Sequence, residues 1–306
     1  MKKITTLLAF CVSVLCLHAQ DDPHYTHYMF NQLVINPAYA GSKDALHLMA
    51  LYRNQWQGID GAPKTINIHA HRPFFNDKAG IGLSLVGDQI GLTNTLYLDG
   101  SYAYRLKVSD KGKLAIGIKG RLEYARLDWT QADPITIIDE KIPGTSITRL
   151  SPNFGAGFYY SDDRFYLGAS APVLLKTTVY TDDPLSNTNI RSLRSYYLIA
   201  GMVMQLKKNV KFRPSVMFSY NPTAPLDMNF NASFIFLDAL WVGAGYRLGD
   251  AIDAMVGYQF NPQWRAYFSV DFTTSKLRDK TYGSYEVMLE YTLQYDNKRL
   301  NNIRYF

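Results

Sequence analysis

Alternation constrains this chain more than any other feature. After Ser42, apolar and polar residues change places over runs of about eight to fifteen residues, the repeat of a strand with one oily and one polar face. In the run from Leu114 to Tyr124, one face holds Leu114, Ile116, Ile118, Leu122 and Tyr124, and the other holds Lys119, Arg121 and Glu123. The pattern returns in Val210–Phe218 and Leu226–Phe234. Trp264, Ala266, Phe268, Val270 and Phe272 alternate with Arg265, Tyr267, Ser269 and Asp271, and Tyr285, Val287, Leu289, Tyr291 and Leu293 alternate with Glu286 and Glu290. No apolar run past Ser42 reaches the roughly 18 residues of a spanning helix, so membrane residence requires a closed barrel.

A soluble sandwich alternates as well, and loop lengths separate the two. The runs place strands near 44–53, 64–73, 79–88, 95–106, 113–127, 153–161, 164–171, 194–206, 210–220, 226–237, 240–248, 252–261, 263–273 and 284–293. That is about fourteen, an even number, as bacterial single-chain barrels have. Connections after even-numbered strands are short, such as Asp162-Asp163 and Asp238-Ala239. Those after odd-numbered strands are longer or more variable, as in 54–63, 127–152, 172–193 and 274–283. Tight turns at one end and long loops at the other predict a transmembrane antiparallel barrel, with the turns and the N-terminal segment on the periplasmic side.

Composition agrees, with 23 Tyr, 16 Phe and 21 Gly against 19% charged residues among 306. Aromatic girdles and short strands account for such usage better than a helical enzyme does. The formal net charge is +6, and no Lys/Arg block suggests nucleic acid as a partner. Lys2-Lys3, an apolar run to Leu17 and Leu17-His18-Ala19 read as a secretory signal cleaved after Ala19. Both cysteines, Cys11 and Cys16, leave with it. A cysteine-free mature chain has no disulfide, thiolate metal site or cysteine nucleophile. The expected divisions are therefore 1–19 signal, 20–43 periplasmic segment or plug, 44–293 barrel and 294–306 tail.

Side chains that could carry chemistry have plainer readings. By parity, Asp99, Glu123, Asp227, Asp271, Glu286 and Glu290 face inward beside Arg53, Arg105, Lys119, Arg121, Lys211, Arg213, Arg247 and Arg265. Mixed signs predict an ion-pair network that fills the lumen, not an ion-selective lining. His47, His69 and His71 share the inward parity of the first two strands, and a hairpin folded about Ile59 and Asp60 sets His47 opposite His71. A polar lumen accepts neutral histidines as hydrogen-bonding residues, so the expectation is no metal site. Ser101, Ser215 and Ser269 stand in no nucleophile-elbow context, and no cofactor or catalytic set is expected. Gly80-Ile81-Gly82, Gly155-Ala156-Gly157 and Gly243-Ala244-Gly245 lie inside alternating runs with no helix after them. They provide curvature and room for bulky neighbours rather than phosphate loops.

One stretch before the first strand has no clean period. It reads Tyr28-Met29-Phe30-Asn31, then Ile35-Asn36-Pro37-Ala38-Tyr39-Ala40-Gly41-Ser42, with turn signals at Asn36-Pro37 and Gly41-Ser42. With Ala50–Pro63, Ala70-His71-Arg72-Pro73, Gly249-Asp250-Ala251-Ile252, Gly257–Pro262 and Gly283–Leu289, it resembles the PorP/SprF family of type IX secretion proteins of Bacteroidetes. The resemblance covers nearly the whole mature chain. It implies a non-enzymatic outer-membrane protein that links secretion or display of adhesin or gliding-type cargo to periplasmic and lipoprotein partners. Tyr28, Phe30, Asn31, Asn36, Pro37, Tyr39 and Gly41 are the candidate partner-binding residues, the aromatics being good anchor types. The alternative is an outer-membrane channel or hydrophobic-substrate transporter with this segment as a hatch.

Overall fold

The computed structural model describes residues 23–75, 77–131, 146–175, 177–179, 190–192, 194–222 and 225–293. Fourteen barrel strands follow one another up and down. The first seven are β1 (Leu46–Asn54), β2 (Lys64–Phe74), β3 (Ala79–Ile90), β4 (Thr93–Lys107), β5 (Lys113–Asp128), β6 (Ser146–Ser161) and β7 (Phe165–Ala171). β8 runs as Tyr196–Met202 and Met204–Lys207, interrupted at Val203. The others are β9 (Val210–Tyr220), β10 (Asp227–Phe236), β11 (Leu240–Arg247), β12 (Ala251–Gln259), β13 (Trp264–Thr273) and β14 (Ser284–Leu293). Each pairs antiparallel with its sequence neighbours. β1 closes on β14, from Leu46 opposite Leu293 to Asn54 opposite Tyr285. Closure leaves no strand edge, which is what a sheet in lipid requires.

The polarity of this molecule is inside out. Leu48, Ile66, Ile68, Leu83, Ile118, Phe154 and Phe158 are exposed on the outer face, among Tyr52, Tyr102, Tyr104, Tyr124 and Tyr246. Arg53, Arg105, Lys119, Arg121, Arg213, Arg247, Asp99, Asp271, Glu286 and Glu290 are buried on the inner face. A hydrocarbon surround makes the first set favourable, and pairing makes the second tolerable. Asp99 accepts from Lys119 at 2.7 Å and from Arg121 Nε and Nη2 at 2.7 and 2.8 Å, and Arg149 reaches Glu123 at 2.7 Å.

The tight turns follow local chemistry. Asp162 Oδ1 accepts from the amides of Arg164 and Phe165, both at 2.8 Å, and Asn261 Oδ1 accepts from Gln263 and Trp264, both at 2.9 Å. Such side chains mimic a backbone turn and fix the hairpin register. At the opposite end β6 starts at Ser146, earlier than the 153 expected, because Ser146–Pro152 extends the ladder against Leu122–Asp128. The loop expected over 127–152 is shorter for that reason. Within 172–193, Thr177–Val179 and Ile190–Ser192 form a small ribbon.

Residues 23–45 lie inside the barrel. They run from the long-loop end, beside Asp271 and Glu286, to the short-turn end, beside Arg105 and Lys113, and there lead into β1. Along the way they hold one helical turn, Gln32–Ile35, and a 3-10 turn, Pro37–Tyr39. Met29, Phe30, Leu33, Ala38 and Tyr39 are buried in one apolar cluster with Met49, Leu51, Trp241 and Tyr267 from the wall.

Candidate functional site: a strap seated in the lumen

The strap is anchored at both ends and along its length. At the long-loop end, Glu286 accepts from the amides of Thr26 and His27 at 2.9 and 2.8 Å, and pairs with His27 Nδ1 at 2.6 Å. Thr26 donates its hydroxyl to Asp271 at 2.7 Å and accepts from Arg53 at 2.7 Å, while Arg53 binds Asp271 at 2.7 Å. Three wall strands thus hold one strap residue. Because the charged members are buried, deleting Arg53 leaves the Asp271 and Glu286 carboxylates without the cation they share.

In the middle the strap is held by ring contacts and by its own carbonyls. Phe30 packs on Tyr267 with ring centroids 4.3 Å apart and planes tilted by 31°, and the Arg213 guanidinium lies over the Phe30 ring, 4.5 Å from its centroid. Asn31 accepts from Asn67 at 2.8 Å. Lys119 donates to the Val34 carbonyl at 3.0 Å and Ser170 to the Ile35 carbonyl at 2.9 Å. Asn36 does two things at once: its Oδ1 accepts the Ala38 amide at 3.0 Å, capping the Pro37 turn, and its Nδ2 donates to the Phe158 carbonyl at 2.8 Å. Wall contacts replace the helix and sheet ladders this segment lacks.

Glycines in the wall shape the channel for it. A Cβ on Gly80 would collide with the Ala40 carbonyl, one on Gly117 with the backbone of Pro37 and Ala38, and one on Gly157 with the Asn36 amide. Gly41 has φ of +73° and is packed against Arg72 and Gly80, so both its conformation and its closeness demand glycine. Its amide donates to His71 Nδ1 at 3.1 Å, and its carbonyl accepts from Arg105. Asp44 then meets Arg105 at 3.3 Å and Lys113 at 3.4 Å where the strap leaves the lumen.

All seven candidate residues lie in this strap and all are buried: Tyr28, Phe30, Asn31, Asn36, Pro37, Tyr39 and Gly41. The inward parity read for the acids and bases places Asp99, Glu123, Asp227, Asp271, Glu286, Glu290, Arg53, Arg105, Lys119, Arg121, Arg213 and Arg247 in the interior, with Lys211 and Arg265 half-buried. Sequence reasoning missed Arg149, hidden in the early part of β6, and Thr26 and His27, whose partners are 245 to 260 residues away. Burial holds His24, at the long-loop end of the strap, below its ordinary value of 6.5, outweighing the pull of Asp227 at 3.6 Å.

A family model described as the type IX secretion system membrane protein PorP/SprF matches residues 17–291. This chain belongs to the PorP/SprF family. No curated protein matches it. Among solved structures, a Pseudomonas aeruginosa FadL homologue is 13% identical with a TM-score of 0.52, over 89% of this chain and 95% of that one. The P. putida toluene transporter TodX is 10% identical with a TM-score of 0.47, over 87% and 95%. Acinetobacter baumannii Omp33 is 8% identical with a TM-score of 0.47, over 82% and 99%. At such identity the FadL homologue shows the fold alone, and family and fold together place this PorP/SprF protein in the outer membrane.

Proposed function

We propose that this PorP/SprF barrel is a non-enzymatic component of type IX secretion that links export or surface display of cargo, such as adhesins and gliding-type proteins, to periplasmic or lipoprotein partners. The seated strap is the observation that supports this reading. With a strap running through its lumen from one end to the other, the barrel has rims and loops to offer a partner. Asp99 is held by Lys119 and Arg121, and Asp271 by Arg53 and the strap, which argues against either serving in an acid–base pair awaiting substrate.

The outer-membrane habit of short periplasmic turns puts the exit of the strap, at Asp44 and Lys113, on the periplasmic rim. Partners meet that rim while the strap is seated. They meet Tyr28, Phe30, Asn31, Asn36, Pro37, Tyr39 and Gly41 only when the strap leaves the lumen. Deleting residues 28–42 tests the assignment, with heat-modifiable gel mobility, co-purification of periplasmic proteins and surface display of secreted adhesin as readouts. A folded barrel that has lost partners and cargo is the expected result. A folded barrel that keeps both contradicts the reading, and a large steady conductance in a planar bilayer favours the hatch-gated channel instead.

A further inference from the structure

The register of the β1–β2 hairpin gathers three histidines on the inner wall. His47 stands opposite His71, and Met49 opposite His69, so two positions on β2 and one on β1 share a face. The rings are buried, with centroids 5.0 Å apart for His47 and His71, 5.9 Å for His69 and His71, and 6.0 Å for His47 and His69. One donor nitrogen from each lies within 4.8 Å of the others. A polar lumen predicts ordinary hydrogen bonds for these rings. Instead, among the described residues, His47 Nδ1 and Nε2, His69 Nδ1 and Nε2, and His71 Nε2 have no hydrogen-bond partner. A buried nitrogen without one is costly and calls for an explanation.

Glu290, from β14, stands beside His47 as the candidate fourth donor. Its Oε1 lies 3.6 Å from His47 Nε2 and has no hydrogen bond among the described residues, while its Oε2 is held by Arg265 at 3.3 Å. Lys43 and Arg265 bring positive charge near the rings, and the Glu290 carboxylate offsets it.

We propose that His47, His69, His71 and Glu290 form a binding site for one borderline divalent transition-metal ion, of the zinc, copper or cobalt kind, between the barrel wall and the strap. Neutral imidazoles with one carboxylate suit these ions rather than calcium or magnesium. Metal–nitrogen bonds of about 2.0–2.1 Å set nitrogens roughly 3.4 Å apart in a tetrahedral shell. A pair at the 4.8 Å limit therefore closes by about 1.4 Å when the ion binds. His71 brings a linkage with it. Its Nδ1 accepts from Gly41, and a coordinated imidazole either uses that nitrogen or turns it into a donor, so metal and strap compete for this ring.

The test uses the full mature chain, purified without a histidine tag and titrated in detergent with Cu(II) and Zn(II). One equivalent of copper is expected to give an electron paramagnetic resonance spectrum with imidazole nitrogen couplings. His47→Gln and His69→Gln are each expected to weaken zinc binding by about tenfold or more, the triple variant with His71→Gln to lose it, and His24→Gln to keep it. Heat-modifiable mobility verifies that each variant folds. A wild-type copper spectrum without nitrogen coupling overturns the site regardless of any variant, as does zinc binding no tighter than that of the folded triple variant.

Discussion

Single residues show where local pattern suffices and where it does not. Parity along a strand is a property of neighbours, so the inward placement of Asp99, Lys119, Asp271 and Glu286 was legible before any fold was known. The glycines were legible only in kind. That Gly80 and Gly117 make room for a neighbour follows from their runs, but that the neighbour is Ala38–Ala40 depends on tertiary packing. Gly80→Val is expected to leave a closed barrel, since valine suits a strand, while its side chain excludes the strap at Ala40. Protease protection of residues 28–42 checks it: the variant should lose protection while keeping heat-modifiable mobility. Arg53→Met has a different signature. It leaves Asp271 and Glu286 buried beside Thr26 with their shared cation gone, at an expected cost of about 3–5 kcal/mol. The temperature at which the folded band converts on a gel should fall, and an unchanged temperature would remove this pair from the account.

At the scale of elements, the strands are legible in the sequence and the strap is not. β1 to β5 and β7 to β14 fall near their expected bounds because each carries its own two-residue period. The start of β6 is hidden because Thr148-Arg149-Leu150-Ser151-Pro152 mixes polar residues and a proline into the ladder. The strap has no period to read. Its course is set by partners on β1, β2, β5, β13 and β14, and whether it lay in the lumen or below it stayed open until those partners were in place. Its upper end carries a pH dependence. His24 faces Asp227, Arg247, Asp250 and Arg53, and its seated form resists protonation. The released form protonates near 6.5, so seating is fully favourable above that pH and weakens as pH falls below it. Protection of residues 28–42 should be weaker at pH 5.5 than at pH 7.5, and His24→Gln should lessen the difference.

The whole molecule is a closed fourteen-strand barrel whose oily face is outward and whose charged face is paired and filled. That architecture was legible because strand count, turn asymmetry and alternation are additive along the chain. The occupant of the lumen was not, because it depends on a segment folding back along the full height of the barrel before the first strand begins. A strap seated in this way is the claim on which the functional reading rests. Asn31 and Asn67 touch at 2.8 Å, and with Cys11 and Cys16 in the expected signal, cysteines at 31 and 67 are the thiols the mature chain offers. The deciding measurement treats intact outer membranes carrying Asn31→Cys and Asn67→Cys with a short thiol-to-thiol crosslinker, and a parallel sample with a bulky maleimide. A seated strap predicts one crosslinked peptide pair joining positions 31 and 67, with neither thiol labelled by the maleimide. Full maleimide labelling at position 31 in a folded barrel, with no 31–67 crosslink, would contradict it.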